Sequence, residues 1–367
     1  LQVRKAFILE SPYIKRNLFV YEAYNSGKYT IAEKQQMFPH IFNSLSVVIP
    51  VLSSTFASVG RFLKYAGNMS LGMLIIDESG QAVPQSALGA IYRTRQAVVV
   101  GDPLQVEPVI TIPKVLIDIL ADSTCVANEY KVIENSVQTF ADNINEFNGM
   151  IGERQVGCPL VVHRRCIEPM FSISNLISYD NRMFNKTNKR EEYLKPENPF
   201  LIKKSGWINV EGTENGGKDH FVKKQAERVC QLMEDAVHIY SDLFETDDKI
   251  FIITPFRTVA ESMRKFVISY FSVKGYDKEI LSKWTKNCVG TVHTFQGKDA
   301  NEVLLVLGCS NKSVGAMNWV VKKANILNVA CTRAKYRIAI IGNIKDSHSR
   351  WQGSAKDYQR GQTERID

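Results

Sequence analysis

Short runs of consecutive apolar residues that end in polar or acidic side chains are the main pattern of this chain. Residues 73–76 and 97–100 are such runs, and both are rich in branched side chains. Short runs without polar alternation predict strands that are buried in a parallel sheet. Residues 250–253, 303–307 and 337–341 predict further strands on the same grounds. The pattern therefore predicts an α/β protein with parallel sheets.

Other segments carry weaker signals for single elements. Branched and aromatic residues predict strands at residues 46–52, 159–162 and 207–210. Helical patterns are found at residues 84–91 and 170–177. Helices that alternate with short strands are typical of a parallel sheet covered by helices, which agrees with the first prediction.

The order of these elements predicts two domains, which suits a chain of 367 residues. Residues 1–45 are expected to be a partly helical N-terminal segment. The first α/β domain is expected over residues 46–150 and the second over residues 151–345. Residues 346–367 are polar and are expected to form a tail.

Acidic side chains directly follow the first two predicted strands: Asp77 and Glu78 follow one, and Asp102 follows the other. Ligands of open α/β sheets bind at this carboxyl edge. Asp77 can hold Mg²⁺ there, mostly through water, and Glu78 can orient and deprotonate an attacking water. Gln81 and Gln105 can sense a terminal phosphate. One acid pair alone is also typical of a solvated strand end, but two such units with glutamines behind them favour a nucleotide site.

Residues 77–81, Asp-Glu-Ser-Gly-Gln, resemble motif II of the superfamily 1 helicases, and residues 101–105, Gly-Asp-Pro-Leu-Gln, resemble motif III. The Asp-Glu-x-x-Gln form is similar to the branch that includes the nonsense-decay RNA helicase and its DNA-processing relatives. The resemblance implies two RecA-like domains that bind ATP and Mg²⁺ in the cleft between them. It also implies that Asp77, Gln81 and Asp102 contact the nucleotide or its metal, while Glu78 and Gln105 act in hydrolysis.

Residues 163–166, His-Arg-Arg-Cys, are similar to motif IV, and Ser-Asn-Leu at residues 174–176 fits the helix that follows it. The resemblance makes Arg165 an arginine finger. Arg164 replaces a tyrosine that stacks on the adenine, and an arginine plane can stack as well.

Residues 289–299 resemble motif V, and residues 327–335 match motif VI almost residue for residue. Motif V implies a turn at Gln296 and Gly297 near the nucleotide, with Asp299 in place of a glutamate that contacts the ribose and Glu302 as a nearby alternative. Motif VI implies that Arg333 acts on the γ-phosphate and that Lys335 lies in the nucleotide site.

Hydroxyl and imidazole side chains after several predicted strands are candidates for contact with nucleic acid. The resemblance implies such contacts with a single strand, since hydroxyls serve as phosphate donors and most contacts should go to the backbone. For Ser54 and Thr55, an ordinary polar turn after a strand is an equally good explanation. The candidates are Ser54, Thr55, Thr254, Thr291 and His293.

A usable phosphate-binding loop does not precede Asp77 in this sequence. Residues 212–218 have the glycine and Gly-Lys spacing of such a loop, but Asp219 stands where a Ser or Thr must ligate Mg²⁺. We therefore expect a first RecA-like domain that is incomplete at its N terminus. The chain is then the C-terminal part of an ATP-dependent helicase or translocase and is inactive in hydrolysis alone. The alternative is a non-enzymatic, helicase-like module that binds nucleic acid or a partner protein.

Charge is unevenly distributed along the chain. Residues 1–150 carry 12 basic and 13 acidic residues, whereas residues 151–367 carry 34 basic and 25 acidic residues. A basic half favours a polyanion such as single-stranded DNA or RNA as partner, although a generic basic surface fits equally well. The seven cysteines lack metal-ligand spacing. No apolar run reaches the length of a membrane span or a signal peptide, which predicts an intracellular protein without a membrane partner.

Overall fold

The computed structural model describes residues 2–102, 104–105, 108–110, 112–127, 130–131, 133, 135–151, 154–187, 199–214, 219–295, 297–310, 313–322 and 324–343. The chain divides into two compact units. The first comprises Leu1–Pro103 and Glu107–Asn148, and the second comprises Leu104–Val106 and Gly149–Asp367.

Three helices open the first unit: α1 (Gln2–Glu10), α2 (Pro12–Asn25) and α3 (Ile31–Val48). The start of α3 is fixed by a capping box between Thr30 and Glu33, in which each side chain binds the other residue's backbone N–H. The strand predicted over residues 46–52 is wrong, because α3 continues through Val48. Its buried face packs with α2, and helix growth from a capped start outweighs the β preference of its last residues.

A parallel pair of strands carries the first acidic segments. Strand β1 (Leu71–Ile76) pairs with β2 (Thr94–Val99), and α5 (Pro84–Tyr92) connects them after the short helix α4 (Phe56–Phe62). These elements confirm the strand predicted over residues 73–76 and the helix predicted over residues 84–91, while the second strand begins and ends earlier than the predicted residues 97–100.

The expected burial of this strand pair is wrong. The side chains of Met73 and Ile75 are 58 % and 66 % exposed, because β1 and β2 form a two-stranded sheet among the described residues and nothing described covers this face. Two more helices complete the unit, α6 (Lys114–Ser123) and α7 (Val137–Ile144).

The second unit begins with short elements. Strands β3 (Gly149–Ile151) and β4 (Arg154–Val156) are antiparallel, and β5 (Val162–His163) pairs in parallel with β6 (Phe184–Asn185). The strand predicted over residues 159–162 is therefore shorter and shifted towards the C terminus. Helix α8 (Met170–Ser178) confirms the helix predicted over residues 170–177.

A parallel sheet of five described strands forms the core of the second unit. The strands are β7 (Gly206–Asn209), β8 (Ile250–Thr254), β9 (Val289–Thr291), β10 (Ala300–Val306) and β11 (Ala334–Gly342), in the spatial order β7-β11-β10-β8-β9. All five residues of β8 are buried, as expected for a strand covered on both faces. This sheet confirms the predicted α/β class.

Helices that connect the strands of this sheet supply further core residues. They are α9 (Lys223–Ile239), α10 (Arg257–Val273), α11 (Lys278–Cys288), α12 (Val314–Lys322) and α13 (Ala324–Arg333). None of the helices in the described part of the chain has both the length and the apolar composition needed to cross a membrane.

Candidate functional site

The turn after β1 brings the two predicted catalytic acids and a glutamine together. Glu78 has a left-handed backbone with φ of 54°, and its N–H donates to Oδ1 of Asp77 at 2.9 Å. The side-chain amide of Gln81 donates to Oε2 of Glu78 at 3.1 Å. Asp77 is exposed and Glu78 is half-buried. The turn therefore holds the Glu78 carboxylate in place and leaves the Asp77 carboxylate open to solvent.

Ser79 fastens this turn to the end of β2 and to α7. Its Oγ lies 2.8 Å from the backbone oxygen of Val100 and 2.6 Å from Oε1 of Gln138, whose amide in turn donates to Asp142 at 2.7 Å. Gln138 could not be predicted from the sequence, because no motif surrounds it and a buried glutamine in a short helix has no spacing signal. The Asp-Glu-x-x-Gln form specifies no residue type at the position of Ser79, between Glu78 and Gln81.

Gly101 is required by close approach to this same turn. A Cβ at Gly101 would lie 2.6 Å from Oγ of Ser79, and 2.7 Å from the backbone nitrogen of Gly80. Backbone atoms cannot move aside as a flexible side-chain tip can, so any larger residue here would displace the turn that carries Glu78.

The second unit gathers three of the predicted nucleotide-site residues. Nζ of Lys335 lies 2.8 Å from Oδ1 of Asp299, and Nε of Arg165 lies 3.9 Å from Oδ2 of the same carboxylate. All three side chains are partly exposed. Two cations thus share one carboxylate, which leaves a local excess of positive charge that suits a phosphate.

Arg333 differs from Arg165 because its side chain is 1 % exposed. One guanidinium nitrogen donates to the backbone oxygens of Phe295 at 3.3 Å and Lys298 at 3.1 Å, and the other donates to Oε1 of Gln105 at 3.1 Å. Gln105 lies in the short segment that belongs to the second unit. The structure therefore joins the last residue of the motif III segment to the arginine of the motif VI segment.

The segment around Gln105 has a second anchor on α13. The side-chain amide of Asn328 donates to the backbone oxygen of Leu104 at 3.2 Å, and its Oδ1 accepts a short hydrogen bond from Ser174 of α8. The Ser-Asn-Leu segment and the motif VI helix are therefore in direct contact.

The remaining nucleotide-site candidates differ in their exposure. Arg164 is exposed, Asp102 is half-buried, and Gly297 has φ of 76° at an exposed turn. Gln296 lies outside the described residues, as does most of the rejected glycine-rich segment.

Glu302, the alternative to Asp299, has a structural role instead. It is fully buried on β10 and accepts hydrogen bonds from the backbone N–H groups of Leu201 and Ile202 and from the hydroxyl of Tyr240, at 2.9, 2.6 and 2.6 Å. Burial raises the pKa of this carboxyl despite those three donors. The Glu302 carboxylate is therefore committed to the segment that precedes β7.

The predicted nucleic-acid contacts differ in their exposure. Ser54, Thr55 and His293 are exposed, and Thr291 is half-buried on β9. Thr254, the last residue of β8, is 1 % exposed, so its hydroxyl does not reach the surface in this structure.

Comparison with known families finds matches over most of the chain. Residues 145–345 match a family described as an AAA domain, and residues 18–112 match a second family with the same description. The first match alone covers more than half of the chain.

Several proteins resemble this chain at low identity. The human protein "Probable helicase senataxin" is 23 % identical over 304 residues, which are 80 % of this chain and 10 % of that protein. "Regulator of nonsense transcripts 1" of Caenorhabditis elegans is 25 % identical over 301 residues, covering 78 % of this chain and 24 % of that protein. The chain thus spans a quarter or less of the length of these relatives.

Among solved structures, a complex of the arterivirus nonstructural protein 10 helicase with DNA is similar to 77 % of this chain and 42 % of that chain, with a TM-score of 0.34 and 13 % identity.

Proposed function

Because the chain belongs to the superfamily 1 helicases, in the branch that contains senataxin and Regulator of nonsense transcripts 1, we propose that it serves ATP hydrolysis coupled to movement along single-stranded nucleic acid. The observation that carries the proposal is the hydrogen bond between Gln105 and Arg333, which are 228 residues apart. Both residues are expected at the γ-phosphate, and their contact supports a shared site.

The acidic turn would supply the hydrolytic chemistry. Glu78 would take the proton of the attacking water, and its hydrogen bond from Gln81 would keep the carboxylate oriented. Asp77 fits a metal ligand, because its carboxylate is exposed at a strand end and one of its oxygens is fixed by a backbone N–H. A Mg²⁺ bound there would neutralise charge on the phosphates.

The basic residues of the second unit would stabilise the charge that develops during transfer. Arg333 is held by two backbone oxygens, so its guanidinium needs no reorganisation when the transition state forms. Arg165 and Lys335 share Asp299 and would exchange part of that contact for phosphate oxygens. Asp102, Gln81, Arg164, Gln296, Gly297 and Asp299 complete the proposed nucleotide site.

The bound single strand of nucleic acid would be held by groups that do not distinguish one base from another. His293 and Thr291 lie on or next to β9, and Ser54 and Thr55 precede α4. Hydroxyl and imidazole groups of this kind bind phosphates or stack on bases with weak sequence preference.

The test is ATP hydrolysis stimulated by nucleic acid, measured with the full-length gene product. Glu78→Gln keeps the shape of the side chain and removes the base, so we expect hydrolysis to fall by at least about 10²–10⁴-fold while ATP binding persists. Glu146→Gln, which changes an exposed acid elsewhere in the first unit, is the matched control.

Two results would contradict this proposal. Hydrolysis by Glu78→Gln within a few-fold of wild type would remove Glu78 from its assigned role. Binding of nucleic acid without hydrolysis by the wild-type gene product would favour the alternative, a non-enzymatic module that binds nucleic acid or a partner protein.

A further inference from the structure

A cluster of potential metal ligands in the second unit contains none of the residues assigned to the nucleotide site. One of its members, Glu214, belongs to the glycine-rich segment that was rejected as a phosphate-binding loop. Glu214 follows β7, His220 precedes α9, and Cys309 follows β10. One ligand atom from each of the three side chains lies within 4.8 Å of the other two. Cys309 is buried, whereas Glu214 and His220 are partly exposed. Two loops, the one between β7 and α9 and the one after β10, thus converge on one point.

We propose that Glu214, His220 and Cys309 form a binding site for a zinc-like transition-metal ion. Tetrahedral Zn²⁺ binds oxygen, nitrogen and sulfur at about 2.0–2.3 Å, which separates its ligand atoms by about 3.3–3.6 Å. Nδ1 of His220 and Oε2 of Glu214 are already 3.2 Å apart. Bringing the remaining ligand atoms to this separation needs a shift of about 1.5 Å or less, which a side-chain rotation supplies.

The carboxylate of Glu214 is held as metal-binding carboxylates are. Its Oε1 accepts from the backbone N–H of Ser310 at 2.6 Å, and its Oε2 lies 2.9 Å from Oγ of Ser313. Outer hydrogen bonds of this kind orient a ligand and raise its affinity for the ion. These bonds, together with His220, also lower the pKa of Glu214 although burial alone would raise it, so the carboxylate is charged at neutral pH.

The backbone at the other two ligands is unusual. His220 and Cys309 both have left-handed conformations, with φ of 54° and 59°, which non-glycine residues rarely adopt. They are locked together, since the N–H of Cys309 donates to the backbone oxygen of His220 at 2.9 Å. Gly308 makes this approach feasible, because a Cβ there would lie 2.8 Å from the same oxygen. Both ligand side chains are therefore fixed on one rigid pair of loops.

Metal binding at this site would be coupled to loss of the proton of the Cys309 thiol. Burial, and then the charge of Glu214, raise the pKa of Cys309 to about 12. A thiolate ligand must lose its proton, so metal binding would release protons and become tighter as pH rises. The bound ion would act as a staple between the loop after β7 and the loop after β10, with water at its fourth position.

The experiment is a titration of the purified chain with Co²⁺ alone, followed by competition with Zn²⁺. A thiolate ligand gives a sulfur-to-cobalt charge-transfer band, and we expect this band to saturate at one ion per chain. Cys309→Ser should abolish the band, and Cys158→Ser, which alters an exposed cysteine, should leave it unchanged. Absence of the band in wild type, or its persistence in Cys309→Ser, would overturn the proposal.

A second variant covers the case in which Cys309→Ser does not fold. Glu214→Gln keeps the shape of the side chain, and the thiolate band should persist while the affinity for Co²⁺ falls at least about tenfold. A cooperative unfolding transition, recorded in the absence of metal, establishes that this variant is folded. An unchanged affinity in folded Glu214→Gln would exclude the carboxylate and with it the proposed site.

Discussion

The two arginines that are expected to act on the γ-phosphate differ in how deeply they are buried. Arg333 is enclosed and bonded to the backbone oxygens of Phe295 and Lys298, whereas the side chain of Arg165 is 36 % exposed and reaches Asp299 only at 3.9 Å. Arg333 is thus part of the core of the second unit, whereas Arg165 is partly exposed. Their substitution should therefore have different consequences.

Arg333→Ala should lower the free energy of unfolding by about 1–3 kcal/mol, because it leaves buried backbone oxygens without their donor. Arg165→Ala is the matched control, and its effect should stay within about 0.5 kcal/mol, as is usual for a partly exposed ion pair. Urea unfolding of the 367-residue chain measures both values. Equal losses in the two variants would contradict the assignment of Arg333 to the core.

Arg165→Ala should lower the turnover of ATP by roughly 10³–10⁵-fold and leave ATP affinity within a few-fold, because an arginine finger acts on charge that develops in the transition state. Steady-state hydrolysis and nucleotide binding by the full-length gene product give the two quantities. If Arg165→Ala weakens ATP binding and leaves turnover intact, the residue belongs to ground-state binding instead.

Packing between elements holds the turn after β1, which carries Glu78, in the first unit. The end of β2 approaches the turn after β1 so closely that Gly101 leaves no space for a side chain, and Gln138 of α7 reaches Ser79 from the other side. The position of Glu78 therefore depends on β2 and α7 as much as on its own turn.

Gly101→Ala should destabilise the chain by about 1–3 kcal/mol, the usual cost of forcing an extra group into a packed site. Gly72→Ala is its matched control, because Gly72 lies on β1 and a Cβ there would meet nothing within 4 Å. Thermal unfolding of both variants is the measurement. A loss in Gly72→Ala as large as that in Gly101→Ala would show that the close approach to Ser79 is not the cause.

The elements that could be predicted from sequence are those with a strong local pattern. Strand β8 and helix α8 follow from apolar runs and helical spacing, since neither depends on distant residues for its identity. Residues 46–48 were mispredicted because the cap at Thr30 and the packing of α3, which decide their conformation, lie far from the branched residues themselves.

The candidate site could be predicted only in part, because a local motif identifies residues but not their tertiary packing. A motif indicates Glu78 and Arg333, but it does not indicate that Arg333 is buried or that Gln138 supports the turn, because both depend on tertiary packing. Glu302 shows the limit most clearly. Its charge at the start of an apolar run predicts exposure, yet donors from residues about 100 positions away make its burial possible.

At the scale of the whole molecule, the excess of charge lies in one half of the sequence. Residues 151–367 carry 34 basic and 25 acidic residues, against 12 and 13 in the first 150. Affinity for nucleic acid that arises from phosphate neutralisation depends on such an excess and falls as salt rises. Contacts by stacking or by neutral hydroxyls lack this dependence.

We expect the 367-residue chain to bind single-stranded oligonucleotides weakly, with the logarithm of its affinity falling linearly with the logarithm of the salt concentration. The slope should be about −0.7 for each phosphate neutralised. His293→Ala should lower the affinity without changing this slope, because His293 is exposed and a stacking contact with a base releases no counterion. Fluorescence anisotropy across a salt series, with DNA and RNA strands of equal length, measures both. Binding that does not respond to salt would mean that the basic half is plain surface, and would favour a protein as the partner of this chain.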